Sequence, residues 1–175
     1  VEEGNANYIS QDGILYTKDM TQLIQYPCGK ELTSFVIPDG VTKVAEGAFA
    51  NTLALTDVTF PDGLKNIGES AFDSSSITSM NIPSSVDYIG KYAFLGCMYL
   101  KDITFNGDLQ SLGEASFVLC TSLEKINIPE GVESLGMGTF SGCMSLSEVT
   151  LPNSLTMIGL GAFDSCISLQ TISIP

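Results

Sequence analysis

Between Leu123 and Phe140 the chain reads LEKINIPEGVESLGMGTF, and its apolar residues follow a short alternating pattern before the chain turns back. Ile126 and Ile128 share one side of an extended strand, while Asn127 between them looks out on the other side. Pro129 cannot donate a ladder hydrogen bond, so it closes the strand. Gly136, after Leu135, suits a position that needs positive φ or close backbone approach.

The same pattern recurs along the chain. Pro38, Pro61, Pro83, Pro129, Pro152 and Pro175 share a column in which Asn106 once replaces proline, at steps of 23, 22, 23, 23, 23 and 23 residues. Eleven residues after each of the first six come Phe49, Phe72, Phe94, Phe117, Phe140 and Phe163. A fixed period near 23 marks a solenoid. One coil alone buries too few apolar side chains to offset the ordering of its backbone, so neighbours must stack and share hydrogen bonds.

From Leu32 to Pro175 the motif I-P-x-x-V-x-x-I-G-x-x-A-F-x-x-C-x-x-L resembles the BspA-type leucine-rich repeats of bacterial cell-surface proteins. The resemblance implies a β-rich leucine-rich repeat solenoid, a right-handed superhelix with about 23 residues per rung, short strands and minor helical turns. It also implies a secreted or surface-anchored protein whose role is adhesion or host-protein binding. Together with the absence of His and of catalytic or cofactor motifs, the expectation is a non-enzymatic module without cofactor that binds an extracellular protein or glycan.

Residues 1–31 lie outside the repeat. Asp12-Gly13 separates Tyr8-Ile9 from Ile14-Leu15-Tyr16, a strong hairpin-turn signal, and two or three antiparallel strands are expected. They are read as a cap over the unpaired edge of the first rung; a binding patch of Tyr8, Tyr16 and Tyr26 is the functional alternative. Residues 32–175 are the repeats, and together the two parts form one structural domain, expected to belong to a longer protein. At the far end no polar cap follows Pro175, so the expectation is either continuation of the chain or pairing with another copy. The start at Val1 is compatible with a removed signal peptide or with a fragment.

Three rungs depart from the pattern. Ala45 stands where later rungs carry Gly68, Gly90, Gly113, Gly136 and Gly159; the turn Asp73–Ile77 is one residue short and has no Cys; Asn106-Gly107 replaces Pro and its neighbour.

Charge narrows the function. Of the 175 residues, 7 are Lys or Arg and 20 are Asp or Glu, a net charge of -13. This opposes a nucleic-acid footprint or a polybasic membrane segment, both of which need clustered basic residues. No apolar run approaches the roughly 20 residues of a membrane-spanning helix. The chain has no His, which removes Ser-His and Cys-His catalysis, and shows no phosphate-binding or calcium-loop motif.

Cys97, Cys120, Cys143 and Cys166 each follow their Phe by three residues and should stack. A metal or disulfide ladder is one reading. Buried thiols are the stronger one, because Thr52 and Ser75 hold the same column, which therefore wants a small buried residue. Glu124 and Glu148, offset by one residue in adjacent rungs, offer a glycosidase-type carboxylate pair, but such pairs are what a solvated acidic face shows, and that is the stronger reading.

The outward strand positions are the candidate binding surface. Val36, Thr59, Asn81, Thr104, Asn127, Thr150 and Ser173 form one column, flanked by a second containing Lys101 and Glu124 and a third containing Asp57, Asp102, Lys125 and Glu148. Seven parallel strands at ~4.8 Å would make a sheet roughly 30 Å across. The expected partner-binding set is Asp57, Thr59, Asn81, Lys101, Asp102, Thr104, Glu124, Lys125, Asn127, Glu148 and Thr150. A structural spacer that positions another domain is the alternative function.

Overall fold

A computed structural model describes residues 1–2 and 4–175. The chain opens with β1 (Tyr8–Gln11), β2 (Ile14–Thr17) and β3 (Gln22–Gln25). Asp12 and Gly13 join β1 to β2, with φ of 51° and 78°, the paired left-handed conformation of a two-residue hairpin turn. β2 and β3 are also antiparallel, with an irregularity between Leu15 and Tyr16. β3 then pairs in parallel with the repeat strand at Lys43–Val44, so the cap continues the solenoid's own sheet and covers its edge.

Each coil contributes two short strands. In chain order they are β4 (Ser34–Val36) and β5 (Lys43–Val44), β6 (Asp57–Thr59) and β7 (Asn66–Ile67), β8 (Ser79–Ile82) and β9 (Tyr88–Ile89), β10 (Asp102–Phe105) and β11 (Ser111–Leu112), β12 (Lys125–Asn127) and β13 (Ser134–Leu135), β14 (Glu148–Thr150) and β15 (Met157–Ile158). The even-numbered strands are those expected on the front face. There are six of them in place of the expected seven, joined as the pairs β4-β6, β8-β10 and β12-β14. Thr171–Ile174 forms no strand; with no coil on its outer side, Ile174 is 66% exposed and too little is buried to hold the segment extended. The back strands make the longer sheet, β1-β2-β3-β5-β7-β9-β11, followed by the pair β13-β15.

Both sheets therefore lapse between the Phe117 and Phe140 coils, the junction that follows Asn106-Gly107. There the coils remain joined through their turns, where Ala115, Phe117 and Leu119 donate N–H groups to the carbonyls of Met137, Thr139 and Ser141 at 3.1, 2.9 and 2.8 Å. The minor helical turns expected from the family take the form of isolated hydrogen-bonded turns, and no helix forms among the described residues.

Inside, the phenylalanines stack face to face. Ring centroids are 4.9 Å apart for Phe49–Phe72, then 5.4, 5.2, 5.4 and 5.5 Å down to Phe163, with planes within 11° of parallel. These spacings track the separation of neighbouring strands, so one ring per coil meets the next by construction. Tyr26 of the cap extends the stack at 5.3 Å from Phe49.

The glycine that follows every back strand from β7 to β15 is required by close approach. A Cβ on Gly113 would lie 2.3 Å from the carbonyl carbon of Gly90, and φ there is not positive. Ala45 escapes this crowding because a hairpin, not a coil, lies on its earlier side. Left-handed backbone occurs elsewhere, at two turn columns per coil, and residues as large as Tyr92 (φ 57°) and Leu119 (φ 59°) adopt it.

Candidate binding face

On the front strands the inward residue is buried between exposed neighbours, as in Asp57-Val58-Thr59 and Lys125-Ile126-Asn127, except in β4 and β14, where Phe35 and Val149 are half-buried. All eleven residues of the expected partner-binding set are exposed. Parallel register brings Asp102 beside Ser79, Thr104 beside Asn81, Lys125 beside Glu148 and Asn127 beside Thr150.

The face is nevertheless divided. Asp57, Thr59, Asn81, Asp102 and Thr104 line an open groove of about 650 Å³, whereas Lys101, Glu124, Lys125 and Asn127 lie outside its lining. Glu148 and Thr150 line a separate hollow of about 290 Å³ with Ser173 and Ile174. The groove floor is the nearly closed surface of Val58, Met80 and Phe60, which are 4%, 3% and 8% exposed. Phe60 is held there by an edge-on contact with Phe72 at 5.9 Å.

Sequence reasoning left out Phe60, Asp62, Pro83, Ser84 and Asn106, which complete the groove. Asn106 carried a readable signal, since it stands alone in a proline column. Its Nδ2 donates to Asn81 Oδ1 at 2.7 Å and to the Ile82 carbonyl at 3.1 Å, tying two coils together at one side of the groove.

Not every outward hydroxyl is available to a ligand. Thr56, Thr78 and Ser147 donate to the carbonyls of Thr33, Thr56 and Glu124, between 3.1 and 3.2 Å, and so serve the ladder between coils. The carboxylate pair considered for Glu124 and Glu148 does not form in register, because Glu148 lies opposite Lys125.

Tyr16 and Tyr26 are buried in the core, which rules out a patch with the exposed Tyr8. The cysteine column is buried too. Cys97, Cys120, Cys143 and Cys166 donate their thiols to the carbonyls of Phe72, Phe94, Phe117 and Phe140, the Phe of the preceding coil, at 3.0 to 3.1 Å. Burial pushes Cys97 up to about 11 and Cys143 up to about 12, and holds Cys120 well above its ordinary value. All five cysteines are free, and Cys28 alone is exposed. Among the described residues no three His, Cys, Asp or Glu side chains converge in a group able to hold a metal ion.

The family model for the BspA type leucine rich repeat region matches residues 25–143 and 110–175, in six copies. The chain belongs to the BspA-type leucine-rich repeat family. Its fold is similar to a leucine-rich repeat protein from Eubacterium ventriosum, with a TM-score of 0.93 and 32% identity over 100% of this chain and 48% of that one. A leucine-rich repeat protein of T. pallidum matches with a TM-score of 0.71 and 26% identity over 97% and 91% of the two chains. A leucine rich cell surface protein from Faecalibacterium prausnitzii matches with a TM-score of 0.51 and 30% identity, over 82% of this chain and 48% of that one. This BspA-type chain thus spans about half the length of the Eubacterium protein. No curated protein matches it.

Proposed function

We propose that this BspA-type chain is a non-enzymatic interaction module of the cell surface, binding an extracellular macromolecule on its strand-lined face. The observation that carries the reading is the groove. Five outward residues from three neighbouring coils line one open depression, and neither ion pair among the described residues uses any of them. Surface location is supported by the family and by the likeness to the Faecalibacterium leucine rich cell surface protein. No helix among the described residues is long and apolar enough to cross a membrane. The excess of 20 acidic over 7 basic residues opposes nucleic acid as the partner.

The test is binding of the purified chain to panels of extracellular proteins and glycans. Replacing Asp102, Lys125 and Glu148 together by alanine should weaken whatever binding is found while leaving the melting temperature unchanged. Unaltered binding removes this face from consideration. The spacer reading draws support from the unbroken ring stack, which stiffens the solenoid. It predicts no ligand for the isolated chain in either panel.

A further inference from the structure

We infer that the front groove accepts an extended cationic segment of a partner protein, with Lys or Arg side chains facing Asp57, Asp62 and Asp102, in preference to a glycan. This rests on the proposed role of the strand-lined face and assigns the chemistry of its ligand.

The groove carries a net negative charge, bounded on one side by Lys125, which follows Asp102 one coil on in the same column. Asp57, Asp62 and Asp102 are exposed, no Lys or Arg lines the groove, and none of the three carboxylates is ion-paired. The two ion pairs among the described residues, Lys65–Asp87 at 3.6 Å and Lys91–Glu114 at 3.1 Å, lie beside the back strands. A partner segment therefore meets net negative charge here, with no ion pair to displace.

Spacing selects the form of the segment. Asp57 and Asp102 occupy the same column two coils apart, with Ser79 between them in register. At about 4.8 Å per coil they are separated by about 10 Å, close to the roughly 9 Å from residue i to i+3 of an extended polyproline II segment, whose three-residue turn keeps both side chains on one face. Asn81 Nδ2 and Asn106 Oδ1, the amide atoms outside the Asn106–Asn81 and Asn106–Ile82 hydrogen bonds, add a donor and an acceptor on the same face, suited to hydrogen-bonding a partner's main chain.

The floor argues against sugar. Pyranose rings are held by stacking on exposed aromatic faces, and the single aromatic side chain of the groove, Phe60, is only 8% exposed and committed to Phe72. Hydroxyl, amide and carboxylate walls over a floor that offers almost no aromatic face suit polypeptide.

The experiment uses the whole chain and a fluorescently labelled Pro-rich peptide of about ten residues, in the extended polyproline II form, with Arg at every third position, alongside its Gln counterpart, read by anisotropy. The groove variant D57N/D62N/D102N is compared with the charge-matched variant E46Q/E69Q/E133Q, whose substitutions lie at other exposed positions. The Arg peptide should bind more tightly than the Gln peptide. With three exposed charge pairs lost, the groove variant should bind it about tenfold more weakly, a change of about 1.4 kcal/mol. The charge-matched variant should stay within about twofold of the unaltered protein.

Equal weakening of both variants would mean diffuse attraction to an acidic protein and would overturn the inference. So would a glycan that binds the unaltered protein and the groove variant alike. If a macromolecular partner is lost on replacing Asp102, Lys125 and Glu148 but retained by D57N/D62N/D102N, the binding face stands and its cationic ligand falls.

Discussion

The ring stack makes a quantitative claim that truncation can test. Phe117 is fully buried, with Phe94 at 5.2 Å on one side and Phe140 at 5.4 Å on the other. Phe163 is only partly buried and stacks on Phe140 alone, at 5.5 Å. Replacing a buried phenylalanine by alanine costs about 3–5 kcal/mol, from lost burial and the cavity left behind. Phe117→Ala should therefore destabilise the protein by about 4 kcal/mol, and Phe163→Ala by roughly half as much, since less surface and one ring contact are lost. Urea unfolding followed by circular dichroism, with the slope checked for constancy, gives both values. Stacking itself is isolated by a double-mutant cycle of Phe94→Leu and Phe117→Leu, where a coupling of about 0.5–1.5 kcal/mol is expected. Equal losses at Phe117 and Phe163, or a coupling near zero, would show that the rings merely fill volume and that stacking does not bind one coil to the next.

Three other perturbations bear on separate parts of the fold. Gly113→Ala places a Cβ 2.3 Å from the backbone of Gly90, so stability should fall by more than about 3 kcal/mol, whereas Gly40→Ala meets no atom within 4 Å and is limited to backbone strain of about 1–2 kcal/mol at φ 92°; urea midpoints compare them. Ser116 is fully buried with no hydrogen-bond partner for its hydroxyl, in a column that holds Ala48, Ala71 and Ala93, so Ser116→Ala should raise stability by about 1 kcal/mol in the same assay. The buried thiols should react with a disulfide reagent only on unfolding, leaving Cys28 as the one fast site in the native protein. Because the Cys97 pKa rises from an ordinary 9.0 to about 11 on folding, the unfolded chain loses its proton first. Stability from this source is full below pH 9 and declines as pH rises towards 11, and a melting temperature that increases over that window would contradict the burial.

The chain's local alternation already contained the coil, its aromatic spine, its buried cysteine column and its outward polar columns. Each of these follows from which side of a strand or turn a residue occupies, repeated at a nearly constant period. The hairpin at Asp12-Gly13 was legible for the same reason, since a two-residue turn needs only its own backbone angles. What the sequence could not disclose depends on what the neighbouring coil presents at the same height. Close approach, not positive φ, explains Gly113, while Tyr92 and Leu119 hold left-handed turns that no glycine announces. The back strands form the longer sheet, and both sheets lapse after Asn106. The eleven-residue face separates into an acidic groove across β6, β8 and β10 and a mixed-charge remainder, because which coils share one depression is set by how they stack and not by the residues of any one coil.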